Sequence, residues 1–292
     1  MVKQRGSGVG LYIVYLFFRV FGYLGLRFIL YFVVLYFSLT TPSTKRYLRE
    51  YYLLCTGKFN FFIYYQHLTM FALVFADRFL SKSFIHRYHI RYIKKTFGVD
   101  DISNGAIFLF SHTGDWSMCS LSPSQTQIPI NIVMQEAIKE SIQQFSDSLQ
   151  KIPKVNTIDI SQGGIAVAIA VARALQNGEI VAMMADRILT PQGSVQVTFL
   201  GKHVYFNKNP FEVAYNRKTP LIALFSWREG DYHYSARYHW LAPYDMTVSK
   251  EEAITLAAQE YANILEKMVK EHPDQWFNHY DYFGSSHPIP AA

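Results

Sequence analysis

The sequence predicts an α/β protein with a mainly parallel, mixed sheet flanked by helices, preceded by an N-terminal helical segment that associates with a membrane. Three observations predict it. From residue 104 onward, short apolar runs alternate with stretches of helical period, the signature of strands joined by crossover helices. A histidine, His112, and an aspartate, Asp186, stand where two of those runs end, and open parallel sheets bind ligands at the carboxyl ends of their strands. Upstream, residues 9–39 carry only two charges, Arg19 and Arg27.

Composition narrows the partners. Half of the 292 residues are apolar, 16% are aromatic and 17% are charged, the last well below the roughly 25% of soluble domains. Such a shortage of charge points to contact with a bilayer. A formal net charge of +6 favours anionic partners such as phospholipid headgroups. Nucleic acid would suit the same sign, but no Lys/Arg run or aromatic-basic module is present, so nucleic acid is not expected as a partner. The two cysteines, Cys55 and Cys119, are too few for a disulfide framework.

Residues 1–45 read as a membrane-anchoring segment. A span needs about 20 apolar residues, and an arginine at the bilayer centre costs about 2.5–3.5 kcal/mol, which so many Phe, Leu, Tyr and Val side chains offset. The apolar region is too long for a cleaved signal peptide, and no small-residue cleavage site closes it. Lys3 and Arg5 precede it while Lys45, Arg46 and Arg49 follow. Charge on both flanks fits a span and an interfacial helix alike; a buried core helix is the other reading. Residues 46–100 form an aromatic-rich helical region without proline. It ends in the basic stretch HRYHIRYIKK, where His86 and His89 read as part of a solvated face rather than as metal ligands.

Residues 101–292 make up the α/β domain. AIFLF (106–110) and INIVM (130–134) are strands, and QEAIKESIQQFSDSLQ (135–150) is an amphipathic helix. NTIDI (156–160) is a strand, followed by a helix capped by Ser161 and stopped by Gly178. EIVAMMAD (179–186) is the next strand. SVQVTFLGKHVYF reads as an edge strand turning at Gly201-Lys202, and PLIALFSWREGDYHYSARYHWL as two strands turning at Glu229-Gly230-Asp231. A long helix over 249–272 closes the domain, with Ser249 and Glu252 spaced as a capping box.

The residues by themselves leave His112 three roles: general base, metal ligand or filler of a turn. Asp115 is its nearest carboxylate in sequence, and a histidine with such a partner is the arrangement needed to deprotonate a hydroxyl. Asp115 reads equally as the cap of a helix beginning at Trp116. Asp186 and Arg187 end a strand, either as a structural ion pair or as part of a site in which Arg187 and Lys208 hold a phosphate. Gly193 permits the turn that follows, and an apolar helix starts near Pro210. No Gly-x-Ser-x-Gly elbow occurs, which leaves a serine hydrolase of lipids without its motif.

As a set and in order, several blocks resemble the bacterial lipid A biosynthesis acyltransferases of the late, lauroyl/myristoyl type, within the lysophospholipid acyltransferase superfamily. The blocks are SHTGDW, LQNGEIVAMMADR, VTFLGKHVYFNKNPFEVAYNRKTPLIALF and HPDQWFNHYDYF. The resemblance implies a glycerolipid acyltransferase-like fold and a membrane-bound enzyme. His112 would be the general base on an acceptor hydroxyl, or amine, that attacks an acyl thioester. Ser117, Asp186, Arg187, Gly193, Lys208, Pro210 and Phe211 would line the substrate side, Phe211 towards the acyl chain. The implied partners are acyl carrier protein or acyl-CoA as donor and a lipid or glycolipid as acceptor, at the cytoplasmic face of the bacterial inner membrane. No metal, cofactor or acyl-enzyme is implied. The chain departs from the pattern at two places. Ser117 stands where the family has its acid, so Asp115 becomes the expected catalytic partner of His112, and Asn209 replaces the glycine before Pro210. The missing acid also supports an alternative, a catalytically inactive lipid-binding homologue.

Overall fold

The computed structural model of the protein describes residues 8–93, 102–120, 128–134, 155–188 and 191–284. The first element, α1 (Gly8–Thr40), is broken at Gly22, whose φ of 61° and ψ of −154° lie outside the helical region; glycine adopts such angles without a Cβ penalty. The stretch Tyr15–Thr40 is long and apolar enough to cross a membrane. Its two faces differ in what they meet. Phe18, Tyr23, Leu26 and Leu30 are buried against Leu73 and Leu80 of α3 (Phe61–Phe84), whereas Val20, Leu24, Phe28, Phe32 and Tyr36 are exposed. Arg27 does not face solvent alone, because its guanidinium pairs with Asp231 at 2.8 Å. Between them, α2 (Pro42–Thr56) begins with proline in its first turn and ends at Gly57, which is left-handed at φ 71°. Asn60 caps α3 by accepting from Ile63 N–H at 2.9 Å.

Seven strands form the main sheet: β1 (His89–Ile93), β2 (Ala106–Phe110), β3 (Ile130–Met134), β4 (Val155–Asp159), β5 (Ile180–Met184), β8 (Leu221–Gly230) and β9 (His233–Trp240). Their order is β1-β9-β8-β2-β5-β3-β4. From β8 to β4 all neighbours are parallel, β9 runs antiparallel to β8, and β1 is parallel to β9. This is the mainly parallel mixed sheet that the alternation predicts. Two further strands, β6 (Ser194–Phe199) and β7 (Lys202–Asn207), make a separate antiparallel hairpin. The helices α4 (Trp116–Ser120), α5 (Gly164–Gln176), α6 (Asn209–Arg217) and α7 (Lys250–Glu271) complete the described elements.

Every residue of β2 is buried, as expected of a central parallel strand covered on both faces. Ile107 and Leu109 face a core shared with α7, the β6–β7 hairpin and residues of α2 and α3, while Phe108 and Phe110 face a second core with Ile132, Ile180 and Leu224. The helical region upstream therefore packs into the same apolar core as the sheet.

Three local expectations need amendment. HIRYI is a strand, not the tail of a helical region; its alternating basic residues suit an edge, where charge discourages further pairing. Ser161 is not a helix cap but part of a short 3₁₀ turn, with its N–H bound to Asp159, and α5 starts at Gly164 behind Gly163. The stretch SVQVTFLGKHVYF pairs with itself, turning through Leu200 and Gly201, both at positive φ, and adds no edge to the main sheet. The amphipathic helix expected over 135–150 lies outside the described residues. Ser249 does cap α7, accepting from Glu252 N–H at 3.2 Å.

Candidate active site

Strands β2 and β5 are parallel neighbours with Phe110 paired to Met184. Each chain runs on two residues, to His112 and to Asp186, so both side chains leave adjacent strand ends at the same level. That register brings them together. His112 Nδ1 lies 2.8 Å from Asp186 Oδ1, and the backbone N–H of His112 donates to Asp186 Oδ2 at 2.9 Å. One carboxylate thus fixes both the ring and the main chain of the histidine.

The C-terminal strap past α7 supports the pair from the other side. Trp276 Nε1 donates to Asp186 Oδ2 at 3.0 Å, Asn278 Nδ2 reaches the same oxygen at 3.4 Å, and the Tyr282 hydroxyl donates to the Asp186 carbonyl at 2.8 Å. On the histidine strand, Phe277 N–H donates to the His112 carbonyl at 2.7 Å and Gly114 N–H to that of Gln275 at 2.8 Å. Gly114 has a φ of 51°, and a Cβ there would lie 2.0 Å from the Ser226 carbonyl oxygen of β8. Only glycine lets this loop pass so close to the strand.

Protonation follows from these contacts. Burial alone would raise the Asp186 pKa, but the charge and hydrogen bonds of His112, together with Arg187, outweigh it and hold the carboxyl at about 2. An ionised carboxylate has no proton to give, so His112 Nδ1 carries the hydrogen and Nε2 keeps its lone pair. Burial and then the Arg187 guanidinium pull His112 below the ordinary 6.5, against the opposite pull of Asp186. The ring is neutral at pH 7 and able to accept a proton. Asp186 is wholly buried whereas the imidazole is 26% exposed, which leaves the ring reachable from outside.

The other residues singled out in the sequence occupy three places. Asp115 is buried, and its Oδ1 accepts from Ser117 N–H at 3.0 Å, Ser117 Oγ at 2.7 Å and Arg78 Nε at 3.3 Å. It therefore serves as the cap of α4, and the acid in contact with His112 is Asp186. Arg187 donates to Asn278 Oδ1 at 2.5 Å and to the Phe277 carbonyl at 2.9 Å, and lies over the Tyr280 ring. Gly193, Lys208, Pro210 and Phe211 gather beyond β5. There Lys208 N–H donates to the Gly193 carbonyl at 2.8 Å, Lys208 Nζ pairs with Glu251 at 2.9 Å, and Phe211 is fully buried against Tyr261. Asn207, whose N–H donates to the Ala185 carbonyl, ties this cluster to the strand end.

Sequence reasoning assigned no role to Trp276, Asn278, Tyr282 or Arg78. For the first three the signal was present, since the block HPDQWFNHYDYF stood out as a unit; which strand it would lean on was not readable.

Among the described residues no group of three or more His, Cys, Asp and Glu side chains is placed to hold a metal ion. Fold and site together define the class: an α/β enzyme with a histidine–carboxylate pair at the carboxyl edge of a parallel sheet, joined to a long apolar helix. The chain belongs to the bacterial lipid A biosynthesis acyltransferase family, whose description matches residues 71–279, more than half of its length. It is also similar to a phosphatidylinositol mannoside acyltransferase of Mycolicibacterium smegmatis, with 25% identity over 131 residues. That match covers 45% of this chain and 43% of the relative.

Proposed function

We propose that the protein transfers a fatty acyl group from a thioester, carried by acyl carrier protein or coenzyme A, to a hydroxyl of a lipid or glycolipid at a membrane surface. The observation that carries this reading is the His112–Asp186 pair at the shared edge of β2 and β5. His112 Nε2 removes the proton as the acceptor oxygen attacks the thioester carbonyl. The tetrahedral intermediate then expels the thiolate, which takes that proton and leaves as a thiol; an ester has formed and no group remains on the enzyme. Asp186 keeps the imidazole in the required tautomer and stabilises the imidazolium. The acid that Ser117 cannot supply comes from another strand, which removes the main argument for an inactive homologue.

The apolar outer face of α1 supports attachment to a bilayer, with residues 1–45 as the anchor. Beyond the break at Gly22, residues 23–40 extend about 27 Å at 1.5 Å per residue, close to the roughly 30 Å of the hydrocarbon core. Because Arg27 is tied to Asp231, the middle of α1 stays against the domain, and the site is held close to the lipid surface. The family supports the cytoplasmic face of the inner membrane. The relative named for phosphatidylinositol mannoside supports an acceptor that joins sugar to phospholipid.

The test is a transfer assay with purified protein in vesicles. Acyl carrier protein and coenzyme A thioesters are offered with a panel of hydroxyl-bearing lipids and glycolipids, and products are read by mass spectrometry. An acylated lipid with release of free thiol, absent in His112→Ala, is expected. An inert wild type, or an unchanged His112→Ala, would sink the proposal.

A further inference from the structure

Resting on the acyltransferase reading, we propose that Arg78 is the phosphate-binding cation of the site, gripping a phosphate of one of the two substrates beside His112. The cations named at the strand ends in the sequence are already committed. Lys208 is paired with Glu251, and Arg187 is bonded to Asn278 and Phe277 and packed on Tyr280. Arg228, deeper in the fold, is closed between Asp77 and Asp231. Arg78 differs. The one hydrogen bond of its side chain among the described residues is made by Nε, at 3.3 Å to Asp115 Oδ1, and that side chain is 34% exposed. Both terminal nitrogens of its guanidinium remain to bond a ligand.

Its surroundings hold the guanidinium in place without saturating it. The Arg78 guanidinium lies 5.3 Å from the centre of the Trp116 ring, and Trp116 stacks on Phe110 at the end of β2. Asp115 is wholly buried, and its second carboxylate oxygen, Oδ2, has no hydrogen-bond partner. A guanidinium held through Nε and stacked on an indole presents its two terminal nitrogens as a fork, the geometry that matches two oxygens of a phosphate. The site is near the chemistry. Asp115 lies three residues after His112, roughly 11 Å along the chain at most, and the Arg78 charge is among those that lower the His112 pKa. A phosphate docked there places the rest of its substrate over the imidazole. Two substrates bring this chemistry, a lipid headgroup on the acceptor side and phosphopantetheine on the donor side.

Equilibrium binding to the full-length protein in detergent micelles separates the sources without requiring turnover. The probes are dihexanoyl phosphatidylglycerol against dihexanoylglycerol, and 4′-phosphopantetheine against pantetheine. Wild type is compared with Arg78→Gln, Arg78→Lys, and the double variant Arg78→Gln with Asp115→Asn, which leaves no lone buried carboxylate. Arg78→Gln and the double variant are expected to weaken the phosphate-bearing member of one pair by about tenfold or more, with the phosphate-free member unchanged and Arg78→Lys intermediate. The pair that responds names the substrate. The proposal is overturned if wild type binds neither phosphate probe in preference to its phosphate-free partner. It is also overturned if the double variant, folded by its melting curve, binds both as wild type does; Arg78 is then only the ion-pair partner of Asp115. Arg78-dependent binding with no acyl transfer would leave this site standing and sink the acyltransferase reading. Acyl transfer that ignores Arg78 would do the reverse.

Discussion

Replacing Gly114 by alanine tests whether the loop that carries His112 depends on a contact only glycine allows. The added Cβ would sit 2.0 Å from the Ser226 carbonyl oxygen, 2.8 Å from its carbon and 3.0 Å from Trp227 Cα, where ordinary contact begins at 3.4 Å. The obstacle is the backbone of β8, a strand buried in the sheet, so the loop must move away by more than 1 Å. A φ of 51° adds about 1–2 kcal/mol for a residue with a side chain. Moving the loop stretches Gly114 N–H to Gln275 and Ser226 Oγ to the Asp115 carbonyl, at 2.8 and 2.6 Å, each worth about 1 kcal/mol. The total is about 3–4 kcal/mol, or about 6–16 °C in melting temperature for a domain of this size. Turnover should fall with it, because His112 is two residues away and bound to the same strap. Melting curves and initial rates of acyl transfer read both effects. A variant that melts within about 2 °C of wild type and turns over normally would refute the reasoning.

Two further outcomes follow from the geometry. Arg228→Ala strands the buried Asp77 carboxylate, paired at 2.9 Å with a guanidinium only 4% exposed, and should lower stability by about 3–5 kcal/mol, most of it recovered by the Arg228→Met, Asp77→Asn double variant; a single variant as stable as wild type would contradict this. If His112 is the base as proposed, it must be neutral, and since its pKa lies below 6.5, kcat/KM should rise with pH along an acid limb centred below that value. Arg187→Gln removes a lowering charge and should move the limb to higher pH, whereas a limb that does not move would show that Arg187 exerts no field on the base.

Much of the fold was legible because the determining signals are local. The β2 and β5 runs, the Gly201 turn and the Ser249 cap each lie within a few residues of their cause. The site was half legible, for the same reason. His112, Asp186 and Arg187 were picked out as strand-end residues, but sequence proximity favoured Asp115 as the histidine's partner. The contact that exists is set by sheet order, since β5 lies next to β2 although the two strands are about seventy residues apart. Local chemistry could not reveal that neighbour. Asp115 reads from the sequence both as a cap and as the histidine's partner, and its bond to Ser117 N–H shows why an aspartate stands there. The strap stands out in the sequence as the block HPDQWFNHYDYF, but nothing local tells that Trp276 and Asn278 fold back over Asp186. Strand β1 was hidden by its charges, which an edge tolerates and a buried strand does not.

The most direct test is the turnover of Asp186→Asn beside Asp115→Asn, with folding confirmed by melting curves. Asp186 Oδ2 receives the His112 N–H and the Trp276 indole N–H, with the Asn278 amide beside it. An asparagine must therefore keep its oxygen on that side and turn its NH₂ towards His112 Nδ1. The imidazole would then carry its proton on Nε2, the wrong tautomer for a base. Such a loss costs about a thousand- to ten-thousandfold in kcat, or about 4–5.5 kcal/mol. The His112–Asp186 account predicts that collapse in Asp186→Asn, with turnover in Asp115→Asn within about tenfold of wild type. Full activity in Asp186→Asn together with collapse in Asp115→Asn would contradict it and return the acid's role to the helix cap.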